Sequence, residues 1–320
     1  MSEFTLDGIK ISGISCAVPD NCVETTSFCE KFGQKYVDDF ISMTGVKSTF
    51  RTPEAQTASD LCYVAAKKLI EAKHLNTDDI GALVFISQTP DYILPPTACV
   101  LHKRLALSKN CMAFDVNLGC SGWVYGVNIV GSLMQTSDCK QALLLSGDTC
   151  LKTNSPEDKS SFMLFGEGGS ATLLVKDSAS TIKGELMTDG EGFKAIIIPS
   201  GAYRNRNGSH ERTEHPEGVI RSDFDSYMNS TDVFAFTISQ VPKMIKNFIS
   251  KNTDGGGGVL MLSCSIKQIC TSCSRSARKP KSRWSRSPYH STATETPAAL
   301  RFPSPCVTRT ALNPEGLCAC

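Results

Sequence analysis

Ala113-Phe114-Asp115-Val116-Asn117-Leu118-Gly119-Cys120-Ser121-Gly122-Trp123 is the stretch on which the reading of this chain turns. Residues 110–116 suit a short strand, and residues 121–135 are apolar enough for a buried helix. A small turn separates them, so Cys120 falls where the helix begins. The positive end of a helix favours a thiolate over a thiol, and the thiolate is the attacking form. Gly119 and Gly122 leave room for a substrate to approach. The same residues also fit a plain buried cysteine at a strand–helix junction, because free Cys is among the most buried residue types. On the residues alone both readings stand.

Working outward, strands and helices alternate. Residues 8–16 alternate as a strand does, and residues 60–73 carry Leu61, Val64, Ala65, Leu69 and Ile70 on one helical face. Residues 79–88 centre on a continuous apolar run, as in a strand covered on both faces. Further strands are expected at 141–146 and 170–175, and a helix at 233–250. This order predicts a layered α/β domain with largely parallel pairing. Gly255–Gly258 reads as a flexible linker.

The chain has 320 residues, 41% of them hydrophobic, so a sizeable core is within reach and wholesale disorder is excluded. A net charge of +1 excludes a uniformly basic nucleic-acid binder and an acidic solvating protein. No apolar run approaches the ~18 residues of a membrane span, and the start, Met1-Ser2-Glu3-Phe4, lacks the pattern of a secretory signal. A cytoplasmic protein is expected. The 15 cysteines then read as reduced thiols rather than a disulfide framework. The averages hide a break: residues 260–320 carry a net charge of +7, six Cys and little apolar periodicity, whereas the first 259 residues carry −6.

Several collinear segments resemble β-ketoacyl-acyl-carrier-protein synthase III, of the thiolase superfamily. The Cys120 segment is similar to the family's active-site elbow. Phe40-Ile41-Ser42-Met43-Thr44-Gly45-Val46 resembles its early Thr-Gly-Ile segment. Residues 88–99, from Gln88-Thr89-Pro90-Asp91 to Pro96-Thr97-Ala98-Cys99, resemble the loop ahead of the next helix. Leu164-Phe165-Gly166-Glu167-Gly168-Gly169-Ser170-Ala171 resembles the glycine-rich turn, and Met228 to Phe234 the Met-x-Gly-x-x-Val-Phe helix start. The resemblance covers residues 9 to about 250.

It implies a thiolase-like five-layer αβαβα fold whose second half is truncated, in a homodimer. It assigns residues 1–176 to the first half with the nucleophile, 177–258 to the start of the second, and 259–320 to a tail foreign to the family. The implied activity is that of an acyltransferase in fatty acid or related acyl-chain biosynthesis. Cys120 would take an acyl group from a thioester, carried by coenzyme A or acyl-carrier protein. A malonyl-carrier thioester would then lose carbon dioxide and attack that acyl group. No cofactor or metal is implied. The alternatives are an acyl transferase or specialised-pathway condensing enzyme of the same fold, and a non-enzymatic remnant.

Beside Cys120, the resemblance places Thr44, Leu94 and Lys159 at the substrate. Leu94 stands where a family member reaches into its partner's acyl pocket, or else it simply packs an interface. Lys159 replaces a phosphate-facing arginine and is a weaker, point-charge substitute. The aromatic and arginine that clamp coenzyme A become Asp39 and Met43, and the motif glycine becomes Ser230. These departures make an acyl-carrier primer plausible beside acetyl-coenzyme A.

Other signals point nowhere strong. Gly166-x-Gly168-Gly169 precedes a strand rather than a helix, so it is no dinucleotide fingerprint. Cys270-x-x-Cys273 lacks the second close pair of a zinc site, and the basic tail lacks the aromatic interleaving of a nucleic-acid binder. None of His74, His102, His210, His215 and His290 sits in the family's His-Gln-Ala-Asn context.

The family's catalytic His and Asn are absent from the last quarter of the chain. Codons begun on the third base of each written codon restore both. Ser265/Ile266 can read His, Ile266/Lys267 Gln, Lys267/Gln268 Ala and Gln268/Ile269 Asn. The same offset over residues 291–297 permits Asp-Arg-Tyr-Gly-Asn-Thr, which resembles the family's second motif. Two motifs in one offset at the family's spacing point to a frameshift at or near the Gly255–Gly258 run; the alternative is a naturally divergent tail. The chain as written is then expected to expose apolar surface, fold poorly and fail in condensation.

Overall fold

The structure, a computed structural model, describes residues 2–252. Strand β1 (Ser2–Ala17) extends the alternation of residues 8–16 at both ends. Next come β2 (Cys22–Glu24), the short helix α1 (Cys29–Phe32), α2 (Gln34–Thr44) and β3 (Ser48–Phe50), with β2 and β3 pairing antiparallel. Helix α3 (Ala58–Ala72) starts at a capping box in which the Thr57 N–H donates to the Asp60 carboxylate at 3.0 Å. Then follow β4 (Ile80–Ile86), α4 (Thr97–Arg104), β5 (Met112–Val116), α5 (Gly122–Thr136), β6 (Gln141–Asp148) and β7 (Gly168–Leu186).

One five-stranded sheet, in the order β1-β7-β6-β4-β5, organises these elements. Its centre is the apolar run of β4, whose residues alternate between two cores. Leu83 and Phe85 join Leu143 and Leu145 under α3 and α4. Val84 and Ile86 join Leu144 and Leu174 under Val127, Val130 and Met134 of α5. Burying each such side chain is worth about 1.5–3 kcal/mol. Because both faces of β4 are buried, its register is held by its pairing with β5 and β6 and by close packing on each side rather than by an inside–outside alternation.

The expected largely parallel pairing is corrected. Strand β4 pairs parallel with β5 and β6, but β6–β7 and β7–β1 are antiparallel. The reason is the connection after Asp148. It returns to the same end of the sheet without a crossover helix, so Gly168 pairs with Asp148 and β7 must run backwards.

Short pairs follow, β8 (Ile196–Ile197) with β11 (Tyr227–Met228) and β9 (Thr213–Glu214) with β10 (Ile220–Arg221). The expected helix at 233–250 is two, α6 (Ser230–Ser239) and α7 (Val241–Asn252). Pro242 accounts for the break, because it lacks an N–H and disfavours helical backbone before it. Met1–Val233 make one compact unit, and Phe234 begins another. Phe234, Phe236 and Ile238 of α6 are exposed, and α7 has no buried residue.

Candidate active site

The segment quoted at the outset folds as a strand, a turn and a helix. Strand β5 ends at Val116, the Gly122 N–H closes the turn on the Gly119 carbonyl at 2.7 Å, and α5 starts at Gly122. Close packing forces small residues on the first turns of α5. A Cβ on Gly122 would lie 2.5 Å from Ile86 Cγ2, and one on Gly126 would lie 2.5 Å from Ile86 Cδ1 and 2.6 Å from Leu144 Cδ1. Helix α5 is thereby pressed onto β4 and β6, which fixes where its first residue and the preceding Cys120 stand.

Asp115 ties this strand to its neighbours. Pro96 stands at the N-cap of α4 and offers no capping side chain. The Asp115 carboxylate takes that role from the adjacent strand, accepting from Thr97 N at 2.6 Å and Ala98 N at 2.7 Å. Strand β5 and the loop before α4 are held as one piece.

A second carboxylate holds the start of that loop. Asp148 Oδ1 accepts from Ser87 Oγ at 2.9 Å, Gln88 N at 2.7 Å, Thr89 N at 3.1 Å and Thr89 Oγ1 at 3.0 Å. Burial nevertheless pushes the Asp148 carboxyl above the usual carboxylate range, against the pull of these donors. Further along, Asp91 accepts from Ser59 Oγ at 2.8 Å and donates its N–H to Thr97 Oγ1 at 3.0 Å. Beyond it Tyr92, Ile93 and Leu94 are exposed, and the Leu94–Pro95 peptide is cis.

Cys120 is solvent-accessible, so the plain buried-cysteine reading does not hold. Its inner side is crowded, and this burial pushes the thiol up; its own backbone N–H pulls it down, and the Asp148 charge pushes it up again. The helix terminus alone favours the opposite direction. That contribution is typically ~0.3–1 kcal/mol, and the net direction here is upward, with burial as the leading cause. At neutral pH the free protein therefore carries Cys120 largely as a thiol. Cys150 is pushed up to about 12 by burial first, and then by Asp148, Cys120 and Glu167. Glu167, only 4% exposed, accepts from Thr52 Oγ1 at 2.6 Å and leaves Oε1 buried without a partner.

Lys159 is exposed, with Nζ 4.8 Å from the Tyr36 ring centroid on α2. Val37 and Phe40 of α2 pack with Met163, which brings the helix beside the Lys159 turn. Thr44, on the same helix, ties off its last turn. Its hydroxyl donates to the Phe40 carbonyl at 2.7 Å and accepts from Val46 N at 3.1 Å. Lys159 and Thr44 thus belong to the α2 side, whereas Leu94 shares a loop with Gln88, beside the elbow. Among the described residues, no hydrogen bond or ion pair joins Cys120 to Thr44, Leu94 or Lys159.

Sequence reasoning missed Gln88, Asp148, Cys150 and Glu167 as neighbours of the elbow. A signal existed for Asp148, a lone carboxylate at the carboxyl end of a buried strand. The histidines stay outside this constellation: His102 Nε2 meets the Ser108 carbonyl at 2.9 Å, His215 Nε2 meets the Arg221 carbonyl at 3.2 Å, and His210 stacks on Phe224. Among the described residues no group of three or more His, Cys, Asp or Glu could hold a metal. His290 and Cys270-x-x-Cys273 lie outside the described residues.

Comparison with known proteins shows what the chain is similar to. A family model described as 3-oxoacyl-(acyl-carrier-protein) synthase III matches residues 114–190, which contain the elbow, Asp148, Cys150 and Glu167. The β-ketoacyl-(acyl-carrier-protein) synthase III of Clostridioides difficile (strain 630) is 31% identical over 233 residues, 72% of this chain and 68% of that protein. The β-ketoacyl-(acyl-carrier-protein) synthase III 1 of Vibrio vulnificus (strain YJ016) is 27% identical, over 76% of this chain and 72% of its own length. The crystal structure of a 3-oxoacyl-(acyl-carrier-protein) synthase from Burkholderia xenovorans LB400 matches with a TM-score of 0.76 and 31% identity, covering 87% of this chain and 80% of that one.

Proposed function

The chain belongs to the 3-oxoacyl-(acyl-carrier-protein) synthase III family, and from that premise we propose that Cys120 is its acyl-accepting nucleophile. The fold is the thiolase-like α/β fold of that family, and the family's chemistry is that of an acyl-transferring condensing enzyme in fatty acid biosynthesis. The observation that carries the proposal is an accessible cysteine at the strand–turn–helix junction inside the matched region. The thiol attacks an acyl thioester, and the acyl group moves to sulfur. A malonyl group on acyl-carrier protein is the natural second substrate.

Leu94 and Lys159 are proposed to meet substrate. Leu94 stands on an exposed apolar loop tip, and Lys159 offers an exposed ammonium for a phosphate. Thr44 is proposed to act beside them through its place at the end of α2. A homodimer belongs to the same reading: among the described residues β5 is an edge strand of the sheet, the kind of edge that can pair with another chain. A division into two related halves at about residue 176 belongs to it too. No described helix is long and apolar enough to cross a membrane, which is consistent with the cytoplasmic location we propose.

The second half-reaction needs hydrogen-bond donors for the developing enolate oxygen. The His and Asn that supply them in the family are absent from residues 260–320 as written. We attribute this to a reading-frame shift near Gly255–Gly258. The exposed Phe234, Phe236 and Ile238 support that view, since a family member would have its second half available to cover them.

Incubating the 320-residue protein with an acyl thioester and then malonyl-acyl-carrier protein tests the reading. The expected result is an acyl mass on Cys120 without a condensed product. No adduct, or an adduct elsewhere, overturns the nucleophile; a condensed product overturns the frameshift account.

A further inference from the structure

We propose that the Gln88 carboxamide is a further catalytic residue, a hydrogen-bond donor to the oxyanion that forms when Cys120 attacks a thioester. The inference rests on Cys120 as the acyl acceptor and adds a group that the resemblance does not assign.

Three observations carry it. First, the backbone of Gln88 is fixed: its N–H donates to Asp148 Oδ1 at 2.7 Å, and the Thr89 N–H reaches the same oxygen at 3.1 Å. Second, the side chain rests against the residue just before the nucleophile. A Cβ on Gly119 would lie 2.2 Å from Gln88 Oε1 and 2.8 Å from its Cδ. The carboxamide therefore fills the space in which a side chain at 119 would stand. Third, that carboxamide is uncommitted. Gln88 is exposed, and among the described residues its side chain makes no hydrogen bond, although it carries two N–H donors. With Oε1 against Gly119, Nε2 is the end left for a ligand.

Cys120 itself supplies a second donor, its backbone N–H, which in the free protein lies against its own sulfur. In the turn, the Gly122 N–H goes to the Gly119 carbonyl and the Val124 N–H to the Ser121 carbonyl, while the Cys120 N–H has no backbone acceptor among the described residues. A side-chain amide and the nucleophile's own N–H form a two-donor oxyanion site of the kind acyl transfer requires.

The step balances without further reagents. Cys120 Sγ, having given up its proton to solvent, forms a bond to the thioester carbon, and the carbonyl π pair moves to oxygen. Gln88 Nε2–H and Cys120 N–H hold that oxyanion. On collapse the C=O re-forms, the carbon–sulfur bond to the carrier breaks, and the leaving thiolate takes up a proton.

Gln88 should therefore act on acylation and leave simple alkylation alone, since iodoacetamide reacts by displacement and builds no oxyanion. The test measures both reactions at Cys120 by mass spectrometry on the full chain, with butyryl-coenzyme A and iodoacetamide as probes. For Gln88→Leu, which keeps the bulk and removes the donor, acylation should fall about 100-fold, with alkylation within about twofold. Gly119→Ala, with Gln88 intact, places a methyl where Oε1 sits and should show the same selective loss; it serves if Gln88→Leu fails to fold. Unchanged acylation, or acylation and alkylation falling together, overturns the proposal. A wild-type protein that alkylates at Cys120 but never acylates overturns the nucleophile reading itself, a result distinguishable from the other two.

Discussion

Helix α5 and helix α7 present comparable apolar stripes, and only one of them is buried. Val127, Val130 and Met134 of α5 are sealed against β1, β4 and β6. Along α7, Val241, Met244, Ile245, Phe248 and Ile249 recur at i, i+3, i+4, i+7 and i+8, yet none is buried. The pattern makes the helix; burial needs an opposing surface as well. For α5 that surface is the sheet of its own unit. For α7 the family reading looks to chain beyond residue 252, where the written sequence departs from the family.

The sharpest way to break this contrast is to restore the offset frame after Gly258. The restored protein should condense malonyl-acyl-carrier protein onto the acyl group at Cys120, whereas the 320-residue chain yields no condensed product by mass spectrometry. Within the restored protein, Cys120→Ser should abolish the acyl adduct altogether. Equal condensation by both proteins would remove the reason for treating α7 as stranded.

A smaller effect separates the two helices directly. Met134→Ala empties a site that is 0% exposed and should cost about 2–5 kcal/mol by chemical denaturation. Ile245→Ala on α7 should stay within about 0.5 kcal/mol in the 320-residue chain. In the restored-frame protein Ile245→Ala should rise towards the core range. An Ile245→Ala cost in the core range in the chain as written would mean that α7 already has a partner.

What the sequence made legible follows the same line. The run Ile80–Ile86 announced a strand covered on both faces, because seven residues with no polar side chain fit few other places. The elbow was legible because turn, glycines and helix lie within a few residues of one another. The direction of β7 was not, since the return after Asp148 is a long irregular segment whose path depends on tertiary packing. Gln88, Asp148 and Glu167 escaped notice for a related reason. Gln88 follows β4, Asp148 ends β6 and Glu167 precedes β7, and no local spacing records that they gather around the elbow and Cys150.

Overpacking α5 tests its side of the contrast more gently. Gly126→Ala drives a methyl to 2.5 Å from Ile86 Cδ1 and 2.6 Å from Leu144 Cδ1. Both neighbours are flexible side-chain ends but are themselves fully buried, so the repacking should cost about 1–3 kcal/mol. The better helix propensity of Ala offsets up to ~1 kcal/mol of that. Thermal unfolding that stays at the wild-type temperature would show that α5 sits less tightly on β4 than these distances require.

The finest test concerns charge at the elbow. Burial raises the Cys120 thiol, and the Asp148 charge raises it further. Asp148→Asn keeps an acceptor oxygen for Ser87, Gln88 and Thr89 while removing that charge. Deprotonation of Cys120 then becomes easier, so its alkylation curve should move to lower pH and the reaction at pH 8 should quicken. Cys150, raised to about 12 by burial first and by Asp148 next, should move in the same direction and yet stay unreactive at that pH. Helix α7 supplies the control: Lys246→Gln there should leave the curve in place. A curve unmoved by Asp148→Asn would mean that burial alone sets the thiol. The carboxylate's part would then be confined to holding the loop on which Gln88 stands.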